Sequence, residues 1–70
     1  MPLAFANVGN SKVIKQIMGN EKTRHHLEHL GFVQGETVTV LSEIGGNLIL
    51  NIKDSRIAVN KVMASKIMVY

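Results

Sequence analysis

The stretch Glu36–Lys53, ETVTVLSEIGGNLILNIK, contains two runs of alternating apolar and polar residues separated by a pair of glycines. Apolar residues recur at every second position, from Val38 to Val40 in the first run and from Leu48 to Ile52 in the second, which is the period of a half-buried strand. The two glycines supply the positive φ angles of a tight turn. The stretch therefore predicts an antiparallel β-hairpin with strands Glu36–Ser42 and Asn47–Lys53.

Three further short strands are predicted outside this hairpin. They are rich in β-branched residues, are bounded by turn-forming residues, and cover Lys12–Met18, Arg56–Val59 and Lys66–Tyr70. The segment NKVMAS, residues 60–65, predicts one helical turn before the last strand. Because a small, strongly bent sheet must close or cover its edges, five such strands predict a mainly β protein folded as a small β-barrel.

One α-helix is predicted between the first and second strands, over residues 21–30, EKTRHHLEHL. Asn20 is a preferred N-cap residue, and Gly31 is the expected residue just past the helix end. On a helical wheel Leu27 and Leu30 share the buried face, with His26 packed at its edge. The predicted core comes from this helix and all five strands: Ile17, Leu27, Leu30, Val38, Val40, Leu48, Leu50, Ile52, Ile57, Ile67 and Val69.

The composition fits a single domain spanning residues 1–70. Small secreted domains usually rely on disulfides, so a chain without cysteine is expected in the cytoplasm. The chain has no basic signal segment and no apolar run near the ~20 residues that cross a bilayer, so neither export nor membrane insertion is expected. Its net charge of +3 comes from scattered basic residues and does not indicate a polyanion track.

Enzymatic chemistry is not expected from this sequence. There is no cysteine nucleophile, no Gly-x-Ser-x-Gly motif and no carboxylate pair spaced for acid–base work. Nucleic-acid binding is also disfavoured, because its stacking platforms combine aromatic with basic side chains and only 4% of these residues are aromatic. The prediction is a non-catalytic binding module without a nucleic-acid partner, and a nucleic-acid-binding small barrel is kept as a second alternative.

The helix carries all three histidines of the chain. His25 and His29 are four residues apart, a spacing at which two imidazoles can share a metal ion, and Glu21 lies near enough to join them. A closed structural site needs four ligands, which the chain does not supply, so no cofactor is required. Weak binding of a divalent transition metal (Fe2+ or Zn2+), with the helix as a metal-responsive sensor, is kept as the first alternative function.

Three apolar residues near the hairpin are expected outside the core. Leu41 and Ile49 fall on the outward phase of their strands, and Ile44 lies in the connection between them. Apolar side chains grouped on a surface are typical of protein–protein contacts. These three residues are therefore the candidate partner-binding residues, and self-association of the chain stays open.

Two segments resemble the ferrous-iron transport protein A (FeoA) family, and the resemblance extends from Leu3 to Val69. The segment RHHLEHLGFVQG fits the pattern Arg-x-x-Leu-x-x-Leu-Gly-hydrophobic-x-x-Gly, with matches at Arg24, Leu27, Leu30, Gly31, Phe32 and Gly35. The segment SRIAVNKVMASKIMV fits an Arg-Ile-Ala-hydrophobic pattern followed by Ala-x-x-Ile-x-Val, with matches at Arg56, Ile57, Ala58, Val59, Ala64, Ile67 and Val69.

The resemblance implies an SH3-like barrel with an inserted helix. It also implies a cytoplasmic bacterial protein that binds the cytosolic part of the ferrous-iron transporter FeoB and regulates it by protein–protein interaction. The family pattern accounts for Arg24, Leu27 and Leu30 without a metal and does not require the histidines.

Overall fold

Five antiparallel strands form one sheet in the computed structural model, which describes all residues 1–70. After a 3₁₀ turn at Leu3–Phe5, the elements are β1 (Ser11–Ile17), α1 (Glu21–His29), β2 (Thr37–Ile44), β3 (Asn47–Ile52), β4 (Ser55–Asn60), α2 (Lys61–Ala64) and β5 (Ile67–Val69). The strand order across the sheet is β4-β3-β2-β1-β5. The predicted five strands, inserted helix and helical turn before the last strand are confirmed, with strand and helix ends within two residues of prediction.

The central hairpin joins β2 to β3 through a turn of only two residues, Gly45 and Gly46. Their φ angles are 55° and 83°, which a residue with a side chain rarely adopts. Strand β2 therefore runs to Ile44, two residues beyond the predicted end. Val40 pairs with Leu50 but Ser42 pairs with Ile49, so β2 carries one extra residue at this point, a β-bulge.

Both ends of helix α1 are closed by local hydrogen bonds. The Asn20 side chain accepts a hydrogen bond from the Thr23 N–H at 2.8 Å, as the N-cap prediction requires. At the other end Gly31, with φ 108°, donates to the Glu28 carbonyl, and the Phe32 N–H donates to the Leu27 carbonyl, both at 3.0 Å. This pair of bonds is a Schellman motif, and it directs Phe32 back into the core beside Leu27.

The core holds thirteen buried residues, all of them apolar: Leu3, Ile14, Leu27, Phe32, Val38, Val40, Leu48, Leu50, Ile52, Val59, Ala64, Ile67 and Val69. Of the predicted core residues, Ile17, Leu30 and Ile57 are instead partly exposed and pack against its margin. In β1 the fully buried residue is Ile14; a register shift between Ile14 and Gln16 places Ile17 on the same inner face, opposite Ile67, but at the end of the strand, where it stays partly exposed.

The first ten residues cover one edge of the sheet. The Met1 amino group donates to the Val69 carbonyl at 2.6 Å, and the Val69 N–H donates to the Met1 carbonyl at 2.7 Å. Pro2 bridges Met68, so the free side of β5 is occupied. Farther along, the Gly9 N–H donates to the Val40 carbonyl at 2.7 Å, which ties the segment to β2.

Truncation of a core leucine should be costly in so small a domain. Leu50→Ala leaves a cavity in a fully buried position, and we expect it to lower the free energy of unfolding by about 2–5 kcal/mol. Leu41→Ala removes the same atoms from an exposed position of β2 and should cost about 1 kcal/mol or less. Urea unfolding followed by circular dichroism measures both, and equal losses would contradict the assigned core.

The Schellman motif predicts a conformational cost at Gly31. A Cβ there would lie 3.8 Å from Ile52 Cγ2, which is an ordinary contact, so Gly31→Ala suffers only from its positive φ. We expect a loss of about 1–2 kcal/mol in the free energy of unfolding. The exposed neighbour Gln34 provides the control, since Gln34→Ala should change stability little. An unchanged denaturation midpoint for Gly31→Ala would show that the helix end does not need this conformation.

Candidate functional site

The tip of the central hairpin exposes apolar side chains. Leu41 is 38% exposed, Ile44 is 65% exposed, and Ile49 is partly exposed. Ser42 pairs with Ile49 and Ile44 with Asn47, so Ile44 and Ile49 are diagonal neighbours on the outer face of the sheet. Leu41 is the extra residue of the bulge, directly before this outer row. The structure thus brings the three candidate partner-binding residues to one place, which we call the hairpin surface.

The bulge is what exposes Ile44. In an uninterrupted strand, Val40 and Ile44 would lie on the same face, because side chains alternate with a period of two. The extra residue at Leu41 reverses this phase, so Glu43, paired with Leu48, takes the inner side at the hairpin tip. The prediction had placed Ile44 in the connecting loop, whereas it is the last residue of β2.

Helix α2 contacts the hairpin tip through its first residue, Lys61. Glu43 Oε2 lies 2.9 Å from Lys61 Nζ, and the Lys61 N–H donates to the Gly46 carbonyl at 3.2 Å. The next residue, Val62, is 67% exposed. These two contacts connect the first residue of α2 to the hairpin tip.

Two further exposed apolar side chains, Val8 and Val62, belong to segments that are hydrogen-bonded near this hairpin, and sequence reasoning did not find them. Val8 is 59% exposed and precedes Gly9, which is bonded to Val40 beside the bulge. Val62 lies next to the hairpin tip through Lys61. Neither residue belongs to a periodic sequence pattern. Only the hydrogen bonds Gly9–Val40 and Lys61–Gly46, each between distant segments, place them in this region.

A polar row crosses the outer sheet face beyond the hairpin surface. Ser11, Thr39, Asn51 and Arg56 form one row across four strands. The Ser11 and Thr39 hydroxyls are hydrogen-bonded at 2.8 Å. The exposed apolar side chains of this face are thus divided between the hairpin surface and Val13 of β1, which is 40% exposed and pairs with Thr37.

The three histidines of α1 are all exposed. His25 Nε2 lies 3.9 Å from Glu21 Oε1, both groups on the solvent side of the helix. No three His, Asp or Glu side chains come together in a metal-binding arrangement anywhere in the structure. The expectation that His26 packs at the edge of the apolar face is wrong: His26 is exposed, because only Leu27 of this short helix is fully buried.

The surface offers no concave site, since no pocket is present in the fold. No helix is long and apolar enough to span a bilayer. Two features are therefore available for function: the exposed apolar surface at the hairpin tip, and the carboxylate–imidazole pair on helix α1.

Comparison with known proteins identifies relatives of the whole chain. A model of the FeoA domain family matches residues 1–70. A protein of Methanocaldococcus jannaschii named "Putative Fe(2+) transport protein A" is 34% identical over 68 residues, covering 97% of this chain and 83% of that protein.

Two crystal structures share the fold along essentially the whole chain. One, of an iron uptake regulatory protein (FeoA), is 30% identical with a TM-score of 0.90 and covers 99% of this chain and 92% of its own. The other is FeoA of Stenotrophomonas maltophilia in complex with zinc, described as a prokaryotic SH3 domain protein. It is 26% identical with a TM-score of 0.87 and covers 100% of this chain and 89% of its own. The predicted SH3-like architecture is confirmed by this likeness.

Proposed function

This chain belongs to the FeoA family, which is implicated in ferrous iron transport, and we propose that it is a non-catalytic accessory protein that binds the cytosolic region of a FeoB-type transporter. The observation that carries the proposal is the hairpin surface of Leu41, Ile44 and Ile49. A cytoplasmic location belongs to the same proposal, because the cytosolic region is the part of the transporter that it binds.

The hairpin surface has the physical properties of a protein-binding site. Removing apolar surface from water stabilises a complex by roughly 25 cal/mol per Å², so one well-buried isoleucine contributes about 1.5–3 kcal/mol. The tip is also short, since a two-residue turn closes it, and the Lys61 N–H bonds its Gly46 carbonyl, which together limit the conformations that it can adopt. Rigid presentation lowers the entropy lost on binding, so more of the contact energy appears as affinity.

A charge placed at the centre of this surface should weaken binding. Ile44→Glu should reduce affinity for a purified cytosolic region of the FeoB-type transporter by about tenfold or more, because a desolvated carboxylate replaces an apolar contact. Val13→Glu is the matched control: Val13 is 40% exposed and lies on β1, away from the hairpin. Isothermal titration calorimetry measures both.

Three outcomes would contradict the proposed interaction: no binding by the wild-type protein, equal weakening by both variants, or no weakening by either. Circular dichroism of each variant should confirm that the barrel is folded before binding is measured. Competition with RNA oligonucleotides in the same assay tests the nucleic-acid alternative, which predicts steeply salt-dependent binding.

A second candidate function is a weak response to a divalent transition metal on helix α1. Two observations favour it: the His25–Glu21 pair at 3.9 Å, and the description of the S. maltophilia relative as a zinc complex. His29 lies one turn beyond His25 and is the candidate third ligand, although the three side chains are not gathered in this structure and His29 would have to change its rotamer to join the pair. We propose Fe2+ or Zn2+ as the metal, held weakly because the ligands are exposed and unsupported.

An anaerobic titration with Fe2+, repeated with Zn2+, should shift the histidine and amide NMR signals of Glu21–His29 in a saturable manner. His25→Ala should abolish the saturable change, whereas His26→Ala, the same substitution one residue along the helix, should preserve it. No shift up to about 1 mM metal, a binding free energy near −4 kcal/mol, would exclude a metal-responsive role for this helix.

A further inference from the structure

The two edge strands of the sheet differ in whether their free sides are covered by another part of the chain. The free side of β5 is covered by Met1 and Pro2, as described above. Strand β4 pairs only with β3, and the one further hydrogen bond made to it is from the Met63 N–H to the side chain of Asn60, which caps α2 at the end of the strand. Its outer edge is therefore an open row of donors and acceptors, able to pair with another strand.

The register of the β3–β4 hairpin shows which groups are free. Ile52 and Ser55 flank the two-residue turn Lys53-Asp54, and the pair that closes such a turn is hydrogen-bonded. Because bonded and non-bonded pairs alternate in an antiparallel ladder, every second residue of β4 turns its N–H and C=O away from β3. These outward residues are Arg56, Ala58 and Asn60, all of which have exposed side chains.

Strand β4 lacks the features that normally block an open edge. All six of its residues are paired with β3 in unbroken register, without a bulge, and none of them is a proline. No charged side chain lies among its inward residues, Ser55, Ile57 and Val59. The only charge on the strand itself is that of Arg56. A regular, unprotected edge of this kind is typical of a strand that pairs with another chain.

We propose that β4 is a self-association edge at which two copies of this chain pair antiparallel about a two-fold axis through Ala58. In this register Ala58, the smallest side chain of the strand, meets its own symmetry mate, and the two residues exchange both backbone hydrogen bonds. Arg56 then lies opposite Asn60 of the partner subunit. Such an isologous contact closes after two copies, so it yields a dimer and not a fibre.

Charge disfavours one neighbouring register. An axis through Arg56 would place two arginines directly opposite each other, which is destabilising. With the axis at Ala58, the two arginines are four residues apart along the strand, about 13 Å, which exceeds the Debye length of about 8 Å at physiological salt.

The test is the oligomeric state as a function of concentration. Sedimentation velocity from about 10 µM to about 1 mM should show a monomer–dimer equilibrium, weak because one strand pair buries less than a standard interface of ~1,600 Å². Hydrogen exchange followed by NMR should show concentration-dependent protection at the Ala58 and Asn60 N–H groups.

Ala58→Lys puts two ammonium groups face to face on the axis and should weaken the dimer at least tenfold, while its exposed position should leave the fold intact. Thr37→Lys is the matched control, with the same added charge at an exposed position of β2. A dimer unaffected by Ala58→Lys, or protection confined to other strands, would overturn the proposal. A protein that stays monomeric up to 1 mM would also overturn the proposal. If the transporter's cytosolic region then protected the same N–H groups from exchange, the edge would be assigned to that partner.

Discussion

The pairing register of the β2–β3 hairpin is the constraint on which the rest of this structure depends. Before the bulge, Val38 and Val40 face the core; beyond it the faces are exchanged, and Ile44 points outward. A one-residue shift moves every following side chain of a strand to the other face. One strand therefore supplies a wall of the barrel in its first half and an exposed apolar tip in its second.

The features that the sequence predicts correctly are those encoded within a few residues. Asn20 caps its helix through the Thr23 N–H only three residues away, and Gly31 ends the same helix through bonds to the preceding turn. The two glycines of the central hairpin likewise form their turn through their own backbone angles. Because caps and turns are satisfied by near neighbours, their residue types mark the ends of elements without knowledge of the fold.

The features that the sequence does not predict depend on distant parts of the chain. Ile14 and Ile17 share the inner face because β1 pairs irregularly with β5, fifty or more residues away, whereas alternation within β1 alone would place them on opposite faces. Leu3 enters the core only because the first residues bridge β5. The site divides in the same way: strand alternation indicates that Leu41 and Ile49 face outward, whereas the nearness of Val8 to the bulge follows from the bond between Gly9 and Val40.

The bonds between Met1 and Val69 place the first residue of the domain beside its last strand. A fold whose ends meet on one side can be carried as an insert in the loop of a larger protein, since the host chain leaves and returns at nearly the same point. The same closeness permits circular permutation, with new ends opened in the exposed turn at Gly45 and Gly46. The domain is in this sense self-contained, and its open β4 edge and hairpin tip would be carried with it into any architecture that accepts two adjacent connections.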